Sequence, residues 1–168
     1  MTTENIGFAI FRRFPAGPGI GTVSYTHLDV YKRQDMTEPY CPEFREILSS
    51  SASDLGLSSH NGGVYVCTEG PRFETPAEIK MYRHMGGDLV GMTAYPEISL
   101  ARELGLCYST IAMVTNYAAG VSETHLTHAE VLETMAANSA NIKSLLLKAL
   151  SKMPTEAQCH CSDTAAKM

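Results

Sequence analysis

Residues 62–120 read GGVYVCTEGPRFETPAEIKMYRHMGGDLVGMTAYPEISLARELGLCYSTIAMVTNYAAG, and this stretch decides the fold class. Two kinds of element alternate along it. Thr75-Pro76-Ala77-Glu78 is a capping box with proline at the first helical position, and Gly86-Gly87 should end the helix that it opens. Short apolar runs rich in β-branched residues predict strands, and they lie at 63–68, 88–92 and 107–115. The alternation predicts an α/β fold with a helix-covered, largely buried sheet, in which any parallel neighbours should be joined by right-handed crossovers.

Further helices are predicted on both sides of these strands. Residues 42–55 begin with proline and precede Gly56, and residues 96–104 precede Gly105. Thr127-His128-Ala129-Glu130 is a second capping box, and it should open a long helix that ends near Leu150. The apolar stripe that we expect this helix to bury consists of Val131, Met135, Ile142, Leu146 and Ala149.

Composition limits the class of protein. The chain has 168 residues, 44% of them hydrophobic and 18% charged, which suits one soluble globular domain and excludes a disordered chain, collagen or a disulfide miniprotein. The net charge is −5 and the 13 basic residues are scattered, which argues against a nucleic-acid-binding surface. No run reaches the roughly 20 apolar residues of a membrane span, and the first residues show no secretion signal, so a cytoplasmic protein with mostly reduced thiols is expected.

The first 34 residues differ from the rest of the chain. Residues 14–22 are rich in proline and glycine and hold no apolar period. Within residues 23–34 (VSYTHLDVYKRQ), SYTH can be encoded TCT TAT ACA CAT and DVYKR can be encoded GAT GTG TAT AAG AGA, which are nearly reverse complements. We interpret this peptide as resembling a translated sequencing adaptor, although its alternating Tyr, Thr and Val would also suit an edge hairpin. We therefore treat residues 1–34 as foreign to the domain and expect them to pack poorly against residues 35–150.

Residues able to carry chemistry lie where the predicted strands end, which is where open α/β sheets bind ligands. These segments are 69–75, 92–93 and 115–120, and together they offer an aromatic ring, carboxylates, a carboxamide and hydroxyls. The chain has no glycine-rich phosphate loop, no nucleophile elbow and no zinc-ligand spacing in the core. The missing glycine-rich fingerprint counts against a Rossmann-like nucleotide-binding module.

Three motifs in this order, EGPRFET at 69–75, GMT-x-x-PE at 91–97 and VTN at 114–116, resemble the carboxyl half of the trimeric nucleoside phosphorylases. This family comprises purine nucleoside phosphorylase and methylthioadenosine or methylthioinosine phosphorylase. The resemblance runs from about Asp35 to about Leu150 and implies a sheet of the nucleoside phosphorylase type that is truncated at the amino end. It also implies the reaction, in which inorganic phosphate attacks the anomeric carbon of a purine nucleoside and releases free base and sugar 1-phosphate. It implies no cofactor and no metal, with phosphate as co-substrate.

The resemblance assigns the base-binding residues one by one. Asn116 matches the catalytic residue that hydrogen-bonds the purine near N7 and O6, because an amide can both donate and accept. Glu74 matches the carboxylate that accepts the N1–H of a 6-oxopurine, and Phe73 matches the ring that packs against the base. The purine departs with negative charge, so such contacts must be stronger in the transition state than in the ground state.

The remaining assignments concern the sugar and the phosphate. Met92 matches the residue under the ribose, Thr93 a hydroxyl donor to phosphate, and His128 a histidine near the ribose 5′ position. Purely structural alternatives remain open for every assigned residue. Phe73 and Met92 could be plain core residues, and Thr93 and Asn116 could satisfy the backbone at a strand end. Glu74 and His128 could simply lie at the starts of helices. Glu97 is expected only to complement the positive end of its helix.

Base preference follows from the amide at Asn116. The adenine-using relatives carry aspartate at this position, where it suits the 6-amino group. A 6-oxopurine presents O6, which a carboxylate repels and an amide accepts as a partner. Ala118 also lacks the carboxylate of the adenine branch. The residues therefore favour inosine, guanosine or methylthioinosine as substrate over methylthioadenosine, and the 5′ group stays open.

Two further expectations concern the ends of the chain. The tail 151–168 contains Cys159-His160-Cys161, and one CxC with a histidine offers too few ligands for a structural zinc, so we expect a flexible, solvent-exposed tail. Full-length family members carry a phosphate-binding turn and an Arg-His pair that residues 1–34 do not show. A catalytically inactive fragment is therefore the alternative to an active enzyme, which we expect to be a homotrimer when full length, acting in purine salvage without nucleic-acid or membrane partners.

Overall fold

The elements follow the predicted alternation in a computed structural model that describes residues 9–12, 35–122 and 128–164. Their order is β1 (Ala9–Arg12), α1 (Pro42–Asp54), β2 (Tyr65–Cys67), α2 (Pro76–His84), β3 (Leu89–Gly91), α3 (Glu97–Glu103), β4 (Cys107–Thr110), α4 (His128–Ser151) and a 3-10 helix (Cys161–Thr164). The predicted α/β class is confirmed. In the ranges that the structure describes, no helix combines the length and the apolar character needed to cross a membrane.

The four strands in the described ranges form two pairs. β2 and β3 run parallel, with Tyr65 opposite Leu89 and Cys67 opposite Gly91, and α2 makes the crossover between them. β1 and β4 run antiparallel, with Ala9 opposite Thr110. β4 is buried at Cys107, Tyr108 and Ser109, but it ends at Thr110, before the predicted end at residue 115, and β3 is only half-buried. Helices α1 and α3 pack against β4, which gives this strand its covered position.

The pairing of β1 corrects one expectation. Ala9–Arg12 lies inside the segment 1–34, which we expected to pack poorly, yet it pairs with β4 along four residues. The physical reason is that the backbone groups of a buried strand need hydrogen-bond partners, and Ile10 and Phe11 have high β propensity. Continuing this ladder past Thr110 would require residues before Ala9, which lie outside the described part of the chain. The adaptor-like peptide 23–34 lies outside it as well.

Two clusters of buried residues form part of the core in the described ranges. One contains Ile98, Ala101 and Tyr108, between α3 and β4. The hydroxyl of Tyr108 donates to Oε2 of Glu97 at 3.2 Å, so Glu97 does more than complement its helix end. The other cluster joins Phe44 of α1 to four cysteines and is described with them below.

The buried face of α4 differs from the predicted stripe. Ile142, Leu145 and Ala149 are buried, but Met135 is 43% exposed and Asn138 is only 4% exposed. Asn138 is accommodated because its Nδ2 donates to the Thr134 carbonyl at 3.1 Å, so the buried amide keeps a hydrogen bond. The position of Met135 in the core was therefore predicted wrongly. The helix itself begins at His128 and ends at Ser151, close to the predicted end, while Thr127 of the predicted capping box lies outside the described residues.

Candidate functional site

The carboxyl ends of β2 and β3 hold Glu74 in place. Thr68 directly follows β2, and its backbone N–H donates to the Gly91 carbonyl at 2.7 Å, which ties the two strand ends together. The Thr68 hydroxyl lies 2.7 Å from Oε1 of Glu74 and donates to it. A short hydrogen bond thus holds the Glu74 carboxylate at the carboxyl edge of the sheet, which is where α/β sheets bind ligands.

Met92 lies at the same edge. It directly follows β3, and its side chain lies against Gly70 of the 69–75 loop. A Cβ at Gly70 would lie 2.6 Å from the Met92 sulfur, and the φ of Gly70 is +72°, so both space and backbone conformation require glycine there. The structure therefore brings Glu74 and Met92, two of the predicted site residues, to one strand-end region.

Phe73 lies on the loop between Gly70 and α2, and its side chain is exposed to solvent. Phe73 is 47% exposed, so it is not a core residue and its ring is open to contact. Its carbonyl accepts a 3.0 Å hydrogen bond from Nη1 of Arg72. Thr93 is also exposed, next to Met92. Both side chains are thus accessible at the strand-end region.

The start of α2 gives this loop a rigid end. The predicted capping box is confirmed: the Thr75 hydroxyl accepts from the Glu78 N–H at 3.3 Å, and the Thr75 N–H donates to Oε2 of Glu78 at 2.7 Å. Arg72 adds a bidentate pair to the same carboxylate, at 2.9 and 2.8 Å. The hydrogen bond from Arg72, followed by those from Thr75, lowers the pKa of Glu78 to about 2. Glu78 is therefore a charged anchor for the Arg72–Thr75 turn and is not a proton donor near neutral pH.

Asn116 lies on the segment that follows β4. Its Oδ1 accepts from the Thr115 hydroxyl at 2.6 Å, and its Nδ2 donates to the Tyr117 carbonyl at 2.9 Å. The Thr115 carbonyl accepts a 3.4 Å bond from the Thr134 hydroxyl of α4. Local contacts therefore orient the carboxamide, and α4 supports the segment that carries it.

The Asn116 segment meets the Glu74 loop at its far end. Gly120 has a φ of +75°, and a Cβ there would lie 2.7 Å from Cβ of Pro76, the first residue of α2. The segments 69–76 and 115–120 are thus neighbours in space. His128 is the first residue of α4, and its side chain lies outside the described residues.

Sequence reasoning missed two features. Thr68 was given no role, although a hydroxyl placed directly after a predicted strand and six residues before Glu74 was a usable signal. A cavity of about 550 Å³ was also not foreseen; it lies between α1, the 57–63 loop and the end of β4. Of the predicted site residues, the five whose side chains the structure describes do not line this cavity, so it is separate from the strand-end region.

Comparison with known proteins gives the family. The model of the phosphorylase superfamily matches residues 6–151, which is most of the chain. The chain belongs to the phosphorylase superfamily. The match begins inside the segment 1–34, so it includes β1 as well as the predicted strand-end motifs.

This chain is also similar in sequence to individual members of the superfamily. A probable 6-oxopurine nucleoside phosphorylase of Moorella thermoacetica is 57% identical over 134 residues, which cover 80% of this chain and 52% of the relative. A probable S-methyl-5′-thioinosine phosphorylase of Methanopyrus kandleri is 49% identical over 128 residues, covering 76% of this chain and 50% of that protein. The chain thus spans about half the length of these phosphorylase-superfamily relatives.

A solved structure supports the fold. The adenosine/methylthioadenosine phosphorylase of Schistosoma mansoni, a double mutant in complex with adenine, superposes with a TM-score of 0.69 at 33% identity. The superposition covers 74% of this chain and 50% of the other. The sheet and helices described above therefore have the arrangement found in part of a nucleoside phosphorylase, which confirms the predicted fold type.

Proposed function

We propose that this protein catalyses the phosphorolysis of a 6-oxopurine nucleoside, or of its 5′-methylthio analogue, to free base and sugar 1-phosphate. One observation carries the proposal: a hydrogen bond holds Glu74 at the ends of β2 and β3, in the same region as Met92 and next to the segment that contains Asn116. The names of the similar superfamily members support the same substrate class. Inorganic phosphate is the co-substrate, and the reaction as proposed uses no cofactor.

The chemistry divides between the base-binding side chains. The purine leaves with negative charge, which a donor near N7 and O6 stabilises more in the transition state than before it. An amide nitrogen carries two hydrogens, and the Tyr117 carbonyl takes one of those on Asn116. We assign the second to the purine. Glu74 then accepts from N1–H, and the exposed ring of Phe73 packs against the base.

Sugar and phosphate would be held by the neighbouring residues. Met92 would lie under the ribose, the exposed hydroxyl of Thr93 would donate to phosphate, and His128 would lie near the 5′ position. A homotrimer in the cytoplasm completes the proposal. Its support is the family resemblance, and light scattering of the purified protein tests the oligomeric state.

The first experiment is an activity measurement on the purified chain. Inosine, guanosine and methylthioinosine should each yield free base only when phosphate is present, and Asn116→Ala should abolish this release. Release that needs no phosphate, or that survives Asn116→Ala unchanged, would contradict the proposal. A folded chain that cleaves none of the three would instead support the inactive-fragment hypothesis.

A second candidate is cleavage of methylthioadenosine, which the similar Schistosoma mansoni phosphorylase favours through its bound adenine. The amide at Asn116 argues against it, because its Oδ1 already accepts from the Thr115 hydroxyl and its Nδ2 has a hydrogen left to donate, whereas a 6-amino group needs an acceptor. Parallel assays with methylthioadenosine and methylthioinosine distinguish the two. Faster cleavage of methylthioadenosine would assign this chain to the adenine-using branch.

A further inference from the structure

Four cysteines from distant parts of the chain meet at one point. Their sulfur atoms all lie within 4.8 Å of one another, and they belong to Cys41, Cys107, Cys159 and Cys161. The cluster is internal, since Cys41 is 1%, Cys107 2% and Cys161 4% exposed. The expectation of solvent-exposed cysteines in the CxC is therefore wrong: the tail returns to the body of the protein, where Cys161 is buried in a core cluster and the half-buried Cys159 packs against it.

Contacts that do not involve sulfur hold the three contributing segments in place. The Cys41 N–H donates to the Tyr108 carbonyl at 2.7 Å, which fixes the start of α1 beside β4. The Gln158 N–H donates to Oε2 of Glu43 at 3.2 Å, which fixes the CxC segment against α1. Phe44, Ile47 and Met153 pack around the cluster and shield it from water. The thiols are thus arranged together by the surrounding fold.

The spacing suits one tetrahedral ion. Zinc binds four thiolates at about 2.3 Å, which places neighbouring sulfurs about 3.8 Å apart. Here the sulfurs of Cys107 and Cys159 are 3.3 Å apart, and every other pair lies within 4.8 Å. Small side-chain adjustments therefore suffice to place four sulfurs around one centre. Sulfur-only tetrahedral ligand sets are typical of structural zinc.

We propose that Cys41, Cys107, Cys159 and Cys161 form a structural tetrathiolate site for a thiophilic divalent cation, zinc in the first place. This inference is independent of the proposed nucleoside chemistry and departs from the sequence-based expectation of no metal. A negative charge on the Cys41 sulfur is favoured, because Cys41 is the N-cap of α1 and the amino end of a helix carries partial positive charge.

Binding is an exchange of protons for metal. Each thiol loses its proton to solvent as its sulfur bonds to the ion, so up to four protons leave per zinc and no electron is transferred. The ion links residues 41, 107 and 161, which closes two long loops and joins the tail to α1. A site of this kind stabilises the folded chain because the unfolded chain does not hold the four sulfurs together.

The test measures metal, so it does not depend on activity. The full chain, expressed with zinc and purified with reductant and without chelator, should contain about one zinc per chain. Cobalt in place of zinc should give the thiolate charge-transfer and tetrahedral d–d absorption bands. Loss of a residue that only hydrogen-bonds a metal ligand lowers metal affinity by about 10- to 100-fold. Cys161→Ser removes a ligand itself and should therefore lower the affinity for zinc by more than that. Cys67→Ser is the matched control, because Cys67 lies outside the cluster.

A second measurement needs no variant and covers the case in which Cys161→Ser does not fold. A thiol reagent should modify one cysteine of the native zinc-loaded chain readily and the other four only after a chelator is added. Two outcomes would overturn the proposal. One is a reduced, folded chain that takes up neither zinc nor cobalt, whether or not the same four cysteines form two disulfides when the chain is air-oxidised. The other is equal zinc binding by Cys161→Ser and Cys67→Ser.

Discussion

The Thr68 hydroxyl donates to the Glu74 carboxylate over 2.7 Å, at the point where β2 ends and the 69–75 loop begins. The same hydroxyl lies 3.4 Å from the Gly91 carbonyl, at the end of β3. Glu74 is therefore positioned by the sheet, through Thr68, and not by its own loop alone. Since the carboxylate is the proposed acceptor for the purine N1–H, Thr68 is a positioning residue for base recognition.

Thr68→Val should weaken base recognition without unfolding the protein. A hydrogen bond to a charged group contributes about 1.5–3 kcal/mol, so we expect kcat/KM for inosine to fall by at least about 10-fold, mainly through KM. Thr68→Ser keeps the hydroxyl and should restore most of the loss. A Thr68→Ser variant as impaired as Thr68→Val would show that the methyl group, and not the hydroxyl, matters.

Asn116→Asp, made in a full-length protein with the amino half restored, should shift the preference toward 6-aminopurines. An aspartate repels O6 and accepts from a 6-amino group, and such a change at a base contact is worth about 1–3 kcal/mol, or roughly 10- to 100-fold. The ratio of kcat/KM for inosine to that for adenosine measures it. An unchanged ratio would mean that Asn116 does not contact the base.

Glu78 should contribute stability that depends on pH. Its pKa is lowered to about 2 in the folded chain, below the usual value of 4.5, so the stabilisation is present above about pH 4.5. It is lost as the pH falls from 4.5 toward 2. We therefore expect Glu78→Gln to lower the urea midpoint at pH 7 and to differ less from the parent as the pH approaches 3. The exposed Glu133 of α4 offers the control Glu133→Gln, and a difference that grows in acid would contradict the assignment.

The face of α4 can be tested by truncation. Ile142 is 5% exposed, so Ile142→Ala should cost about 2–5 kcal/mol through lost burial and a cavity. Met135 is 43% exposed, and Met135→Ala should cost clearly less. Urea unfolding of the two variants measures both. Equal losses would instead favour the stripe predicted from sequence, in which Met135 and Ile142 are both core residues.

The origin of residues 23–34 can be settled at the DNA level. We propose that this peptide is a translated adaptor, and the codons for 24–33 should then form an inverted repeat that is missing from the source genome. Amplifying the locus across codons 20–40 from genomic DNA provides the check. The same peptide encoded in the genome without the repeat would make it a genuine part of the protein.

The sequence by itself determined features that depend on residues close together in the chain. The capping box of Thr75 and Glu78, the proline start of α1 and the glycine after α2 act through neighbours a few residues away, so the helix bounds follow from pattern alone. The order of the strand-end motifs likewise sufficed to indicate the family. In both cases the information lies within short stretches of chain.

Tertiary structure decided the contacts between distant segments. The pairing of β1 with β4, the burial of Asn138 in place of Met135 and the meeting of Cys41 with Cys161 depend on partners that no local pattern specifies. Two cysteines spaced as CxC offer too few ligands until the fold brings two more from 120 and 54 residues earlier in the chain. Burial and long-range packing, which take effect only when the whole chain is folded, created that sulfur cluster.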